Sequence, residues 1–263
     1  MISRPARAHR SHGTARAVGA LVLREMATTY GRSPGGYLWA VMEPLAGIAL
    51  LTILFSLALS APPLGTSFAL FYASGYMLFV AYQNIANKMT VALRFSKPLL
   101  NYPAIRFTDP FLARFVLNGL TECTVVMVIL GALLAMTGTG FDLDWADVIG
   151  ALALALALGG GIGVMNSALI GLFPLYERVW VILTRPLFVV SSIFYLFEIV
   201  PHPYDRLLWF NPLVHVIAIM RRGIYPSYAP DFVSVPYVAG IAAGALIIGL
   251  VLLHRWYRHI INN

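Results

Sequence analysis

Apolar positions along this chain fall into long unbroken runs rather than into alternation. Runs close to the ~20 residues that cross a bilayer core as helix occupy about 38–60, 68–87, 111–137, 147–172, 179–197 and 232–253. Barrel strands alternate lipid-facing and lumen-facing residues, and lipid offers backbone groups no partners, so only helices or closed barrels span it. The pattern predicts an all-α membrane protein with six transmembrane helices in one domain over 38–253. Ahead of the first run, Val18, Leu21, Val22, Met26 and Tyr30 recur at helical spacing while Arg24, Glu25 and Thr28 face elsewhere. Residues 17–32 thus predict an amphipathic interfacial helix, broken by Ser33-Pro34-Gly35-Gly36. Residues 198–231 read differently. Pro201, Pro203, Pro212, Pro226 and Pro230 punctuate them, yet Leu213–Met220 is apolar. Those eight residues reach only about 12 Å as helix, so two short re-entrant helices before the last span are expected. A seventh crossing is the alternative, and it would carry the C-terminal arginines outside.

Charge orients these elements. Residues 1–37 hold six arginines against Glu25, and the loop after the second run holds Lys88, Arg94, Lys97 and Arg106 against Asp109. The tail at 254–263 adds Arg255 and Arg258, whereas Ser60–Ser67 is uncharged and the loop after the third run carries Asp142, Asp144 and Asp147. Basic residues gather on the cytoplasmic side, so both termini are expected there, with residues 1–16 a disordered basic tail. The first long run starts near Leu38 without a small-residue cleavage site and reads as an uncleaved span. Arg221 and Arg222 would then lie outside, against the charge rule. The net charge of +7 calls for no nucleic acid; anionic lipid and a partner subunit account for it.

Composition agrees, with 59% hydrophobic and 11% charged residues against about 25% charged in soluble domains. Cys123 stands alone, which excludes an internal disulfide and a cysteine-based zinc site. Neither lysine follows a Gly-x-x-x-x-Gly, so no phosphate-binding loop of that type is present. Gly159-Gly160-Gly161-Ile162-Gly163 lies inside an apolar run and reads as close helix packing. No catalytic set and no metal-like spacing of the six histidines emerges. An ion-coupled carrier needs ionisable groups near midplane. Of Glu43, Arg114, Glu122 and Arg185, only Glu122 is deep. It reads either as a structural partner of Arg114, two turns away, or as a transport residue.

One stretch goes further. Arg24-Glu25 and then Tyr30-Gly31-Arg32-Ser33-Pro34-Gly35-Gly36-Tyr37-Leu38-Trp39-Ala40-Val41-Met42-Glu43-Pro44-Leu45 strongly resemble the start of ABC-2 type polysaccharide export permeases. Leu100-Asn101-Tyr102 and Leu208-Trp209-Phe210-Asn211-Pro212-Leu213-Val214-His215-Val216 resemble the capsular polysaccharide (KpsM-type) branch. The similarity runs over nearly the whole chain. It implies the ABC-2 exporter fold, a homodimer of this subunit with two cytoplasmic ABC ATPase subunits, and export of a lipid-linked polysaccharide across the bacterial inner membrane. It also implies a periplasmic adaptor and an outer-membrane export channel. No cofactor is expected in this chain; Mg-ATP would sit on the partner ATPase.

Site roles follow on that basis. The loop 88–108 is the expected ATPase coupling element, with Pro98 opening a short helix, Leu99, Leu100 and Tyr102 presenting apolar contacts, and Arg94, Lys97 and Arg106 meeting acidic or lipid partners. An ordinary basic loop is the plainer account. Sugar C–H faces pack on aromatic rings, so Tyr72, Tyr76 and Phe79 on one face of the second span are expected to line a conduit. Tyr30, Tyr37 and Trp39, with Arg24 and Arg32 as phosphate contacts, are expected at a substrate entrance. An interfacial aromatic belt competes with both. Arg206, Trp209, Asn211, His215, Arg221 and Arg222 are expected at an outer gate, unless the arginines simply pair with Glu198, Asp205 and Asp231. An O-antigen or teichoic-acid exporter is the near rival. An ion-coupled carrier or membrane-embedded lipid-modifying enzyme is the distant one.

Overall fold

A computed structural model describes residues 11–29, 36–98, 105–138 and 143–262. Among the described residues the chain is helical, without a strand. In order come α1 (Ser11–Thr29), α2 (Gly36–Ala58), α3 (Phe68–Thr90), α4 (Ala92–Ser96), α5 (Asp109–Thr137), α6 (Trp145–Leu172), α7 (Leu175–Val190), α8 (Tyr204–Trp209), α9 (Pro212–Ile224) and α10 (Val235–Asn262). Local chemistry sets several boundaries. The Ser67 hydroxyl accepts from Leu70 N at 3.3 Å to cap α3, and Asp144 accepts from Ala146 N at 2.9 Å to cap α6. α9 opens on an Asn211 cap followed by Pro212, whose missing N–H costs nothing there. α5 closes on Gly138 in the left-handed region, at φ 60°.

Three boundaries differ from expectation. α1 starts at Ser11, so Ser11–Arg16 is helical rather than disordered. α10 runs on to Asn262, absorbing most of the expected tail. The fifth apolar run, expected to 197, ends at Val190 because the chain turns at Ser191-Ser192, where Ser192 takes φ 59°.

Among the described residues, four helices are long and apolar enough to cross a membrane: Leu38–Ala58, Asp109–Thr137, Trp145–Leu172 and Val235–Ile260. α3 has 23 residues but carries Gln83, Asn84, Asn87 and Lys88 near its end. α7 has only 16 and holds Glu177, Arg178 and Arg185. α9 has 13 residues, about 20 Å of helix, short of a bilayer core of roughly 30 Å.

α6 is the hub, packed against α3, α9 and α10, with α5 and α2 laid on α3. Lipid removes the hydrophobic drive between helices, so close van der Waals contact must hold them. The glycine run supplies it. Gly159 and Gly163 turn toward α3, where a Cβ would meet Tyr82 O at 2.6 Å and Met89 Cβ at 2.5 Å respectively. Gly161 turns toward α10, with Ala242 O beside it, and Gly249 returns the contact against Met165. Around this seam Ile85, Ile129, Leu130, Leu158 and Ile217 are fully buried. In contrast, α7 buries no residue.

Candidate functional site

The face of α3 bearing Tyr76, Phe79, Gln83 and Asn87 repeats at three- and four-residue steps, so its side chains stack in one row. Opposite stand Trp180, Thr184, Arg185 and Phe188 of α7. Between the two helices lies a groove of about 420 Å³ lined by these residues. The Phe79 and Phe188 rings meet edge to face at 5.2 Å, and Tyr76 meets Phe188 at 6.0 Å. Tyr76 gains its place because Gly47 of α2 offers no Cβ, which would clash with the Tyr76 hydroxyl and ring. The ring series continues through Phe188–Phe194 at 5.1 Å, Phe194–Phe55 at 5.5 Å and Phe55–Tyr72 at 5.0 Å. Aromatic faces flanked by two amides, a hydroxyl and a guanidinium can pack on C–H surfaces and hydrogen-bond to hydroxyls together.

Of the three residues expected in a conduit, Tyr76 and Phe79 share this groove. Tyr72 does not. It is buried with Phe71 and Leu51 in a separate cluster behind it. Trp180 and Phe188 were not anticipated, although their spacing with Thr184 on α7 marks one helical face.

Trp39, expected at an entrance, is largely exposed and borders a second hollow of about 360 Å³ with Glu43, Asn84, Lys88, Asn118 and Glu122. Arg24 is exposed on α1. Tyr30, Arg32 and the side chain of Tyr37 lie outside the described residues. Glu122 accepts from Asn84 Nδ2 at 2.8 Å. Its anticipated partner, Arg114, instead pairs with Glu25 of α1 at 3.1 Å. The competition is positional: Arg114 sits in the second turn of α5, level with α1.

In the expected coupling loop, α4 ends at Ser96, and the short helix expected to open at Pro98 would run into residues outside the described ones. Arg94 lies 4.0 Å from Glu177, both well exposed, and Lys97, Pro98 and Arg106 are exposed. The Arg106 backbone N–H donates to Asp109 Oδ2 at 2.9 Å. Leu99, Leu100 and Tyr102 lie outside the described residues. Beside α4 is a hollow of about 270 Å³ bordered by Leu93, Arg94, Lys97, Ile170, Pro174 and Glu177.

The residues expected at an outer gate separate into distinct jobs. Arg206 is exposed. Arg221 is buried, donating to the carbonyls of Tyr195 and Ile193 at 2.9 Å each, with its guanidinium 4.2 Å from the Phe71 ring centre. It satisfies the unwound strand of chain after α7. Arg222 holds Asp147 by a double hydrogen bond, one arm at 2.6 Å, which raises its pKa. His215 donates from Nε2 to Trp209 O at 2.8 Å and accepts from Ser234 N at Nδ1, 3.3 Å, a pair of partners that suits the neutral ring with its proton on Nε2. Trp209 donates to Phe232 O at 3.1 Å, and Asn211 to Ser191 Oγ at 3.0 Å. The anticipated pairing of these arginines with Glu198 and Asp205 is replaced. Glu198 accepts from Tyr228 at 2.9 Å and Asp205 meets His202 at 2.7 Å.

Comparison with known proteins places these features in context. The family model described as ABC-2 type transporter matches residues 16–225. The polysialic acid transport protein KpsM of Escherichia coli is 31% identical over 236 residues, covering 89% of this chain and 91% of that protein. The capsule polysaccharide export inner-membrane protein CtrC of Neisseria meningitidis serogroup B is 22% identical over 241 residues, covering 92% and 91%. The corresponding BexB of Haemophilus influenzae is 22% identical over 249 residues, with the same shares covered.

Proposed function

Because the chain belongs to the ABC-2 type transporter family, we propose that it is the membrane subunit of an ATP-driven exporter moving lipid-linked capsular polysaccharide across the bacterial inner membrane. The groove between α3 and α7 carries the reading. Its aromatic floor and amide, hydroxyl and guanidinium rim match a polymer of alternating C–H faces and hydroxyls. Work must come from outside the chain, from two cytoplasmic ABC ATPases bound to a pair of these subunits, with Mg-ATP on the ATPases. A periplasmic adaptor and an outer-membrane channel would receive the polymer.

In this reading α3 and α7 join the four long apolar helices as spans five and six in number, α1 lies in the cytoplasmic interface, and α8 and α9 dip in from outside and return. An even number of spans keeps both basic termini cytoplasmic. The burial of 11 of the 13 residues of α9, Arg221 among them, supports re-entry, since short helices are tolerated at membrane depth where protein covers them. The ATPase would engage the basic segment around α4, with the hollow beside Leu93 receiving an apolar side chain from it. Closure of the ATPases would shift that segment. α7, which buries no residue, could then move against α3 and widen the groove.

The test is co-expression with ABC ATPases, measuring a stable membrane complex, its Mg-ATP hydrolysis and polymer export. A bound, hydrolysing ATPase that is lost on Leu99→Asp or Leu100→Asp supports the assignment. A chain that binds no ATPase and transports on a proton gradient would overturn it.

A further inference from the structure

Arg114 makes three contacts on three separate helices. Its side chain, 8% exposed, lies 3.1 Å from Glu25 Oε1 of α1. Nη1 donates to the Lys88 carbonyl in the last turn of α3 at 3.1 Å. The guanidinium carbon stands 5.2 Å from the Phe95 ring centre of α4. Glu25 is itself largely covered, at 20% exposed. α1 meets the bundle along α5, the helix that carries Arg114.

We propose that Arg114 is a positioning residue that couples displacement of the α3–α4 corner to the interfacial helix α1. This rests on the proposed ATPase partner, which would drive that corner. A guanidinium is a rigid planar fork, so one arm fixed on Lys88 O sets where the other can meet Glu25. A shift of the corner by about an ångström stretches one bond past hydrogen-bond length unless α1 follows. Letting go leaves a buried charge without its partner, the costly outcome for a covered ion pair. α1 is therefore held to the corner rather than merely resting on α5. Because α1 borders the path from the cytoplasmic leaflet in the proposed arrangement, ATPase movement would reach the point where the lipid anchor enters.

The experiment uses the whole chain in complex with its ATPase, with Cys123→Ala and a fluorophore on Met26→Cys of α1. Nucleotide-dependent fluorescence, ATPase binding and export are read together. Arg114→Lys keeps the positive charge for Glu25 but loses the fork. It should retain ATPase binding and the nucleotide-free signal, yet lose roughly fivefold or more of the nucleotide response, the low end of typical coupling factors. The exchange Arg114→Glu with Glu25→Arg restores the pair with α1 but not the bond to Lys88 O, and should stay uncoupled. A full nucleotide response in Arg114→Lys, or its recovery in the exchange variant, would make Arg114 a simple anchor and overturn the proposal. Absence of any nucleotide response in the unmodified complex would overturn it too while leaving the exporter assignment standing. A chain that binds no ATPase would overturn both.

Discussion

Replacing Gly163 by alanine would set a Cβ 2.5 Å from Met89 Cβ and 2.6 Å from the Ala86 carbonyl oxygen. Ordinary contact lies near 3.4–4 Å, so α6 and α3 would have to part by about an ångström. Neither obstacle is the free end of a side chain; one is backbone and the other is fixed to it. Such overpacking costs about 1–3 kcal/mol, and the rigidity here argues for the upper half of that range. Alanine regains about 1 kcal/mol of helix propensity, leaving a net loss of ~1–2 kcal/mol. At roughly 2–4 °C per kcal/mol for a chain of this size, Tm should fall by about 2–8 °C. Gly150 lies on the same helix with nothing within 4 Å of its virtual Cβ. Gly150→Ala should leave Tm unchanged or raise it by up to about 4 °C. Thermal melts of the purified detergent-solubilised chain, followed by size-exclusion, provide the assay. If Gly163→Ala melts at or above the parent, or if both variants fall equally, the backbone-contact argument is wrong.

Other substitutions probe the groove and its surroundings. Phe188→Ala, which removes the ring between Tyr76, Phe79 and Phe194, should lower export about tenfold, the factor for ~1.4 kcal/mol, while ATPase binding is unchanged; loss of the complex instead would make Phe188 structural. Glu122→Gln keeps a partner for Asn84, and export in membrane vesicles should stay within about twofold of the parent; abolition of transport would favour ion coupling. Arg222→Ala should cost about 1 kcal/mol, the upper end for a partly exposed pair, with Asp147→Asn giving a similar loss and the double variant little more; additive losses in denaturation would show that the two do not act together.

The helical content, the glycine seam and the two short helices ahead of α10 were legible because each is a local property: apolar run length, small-residue spacing, proline punctuation. Side-chain partnerships were not. Arg222 finds Asp147 across 75 positions of sequence, and nothing near either residue signals the other. Arg114 chose Glu25 over Glu122 because α1 docks beside the second turn of α5, a tertiary fact. The early end of α7 was hidden as well, since Ser191-Ser192 carries neither the glycine nor the proline that usually marks a break. Within the groove, Tyr76 and Phe79 could be read from the face of one helix. Trp180 and Phe188 required knowing which side of α7 approaches it.

The contrast between α6 and α7 bears on how such a protein can diversify. α6 touches α3 and α10 through bare backbone at Gly159, Gly161 and Gly163, so almost any larger residue there is penalised by the fold itself. α7 contributes half of the groove yet buries no residue of its own. Substitutions at Trp180, Thr184 or Arg185 therefore tax the chain's own folding little, whereas Phe188 packs against the core. If the groove carries the polymer as proposed, its lining can drift toward a new polymer chemistry one residue at a time, without a compensating change in the scaffold. A mutational library confined to α7 should accordingly yield far more folded variants than one of equal size confined to α6.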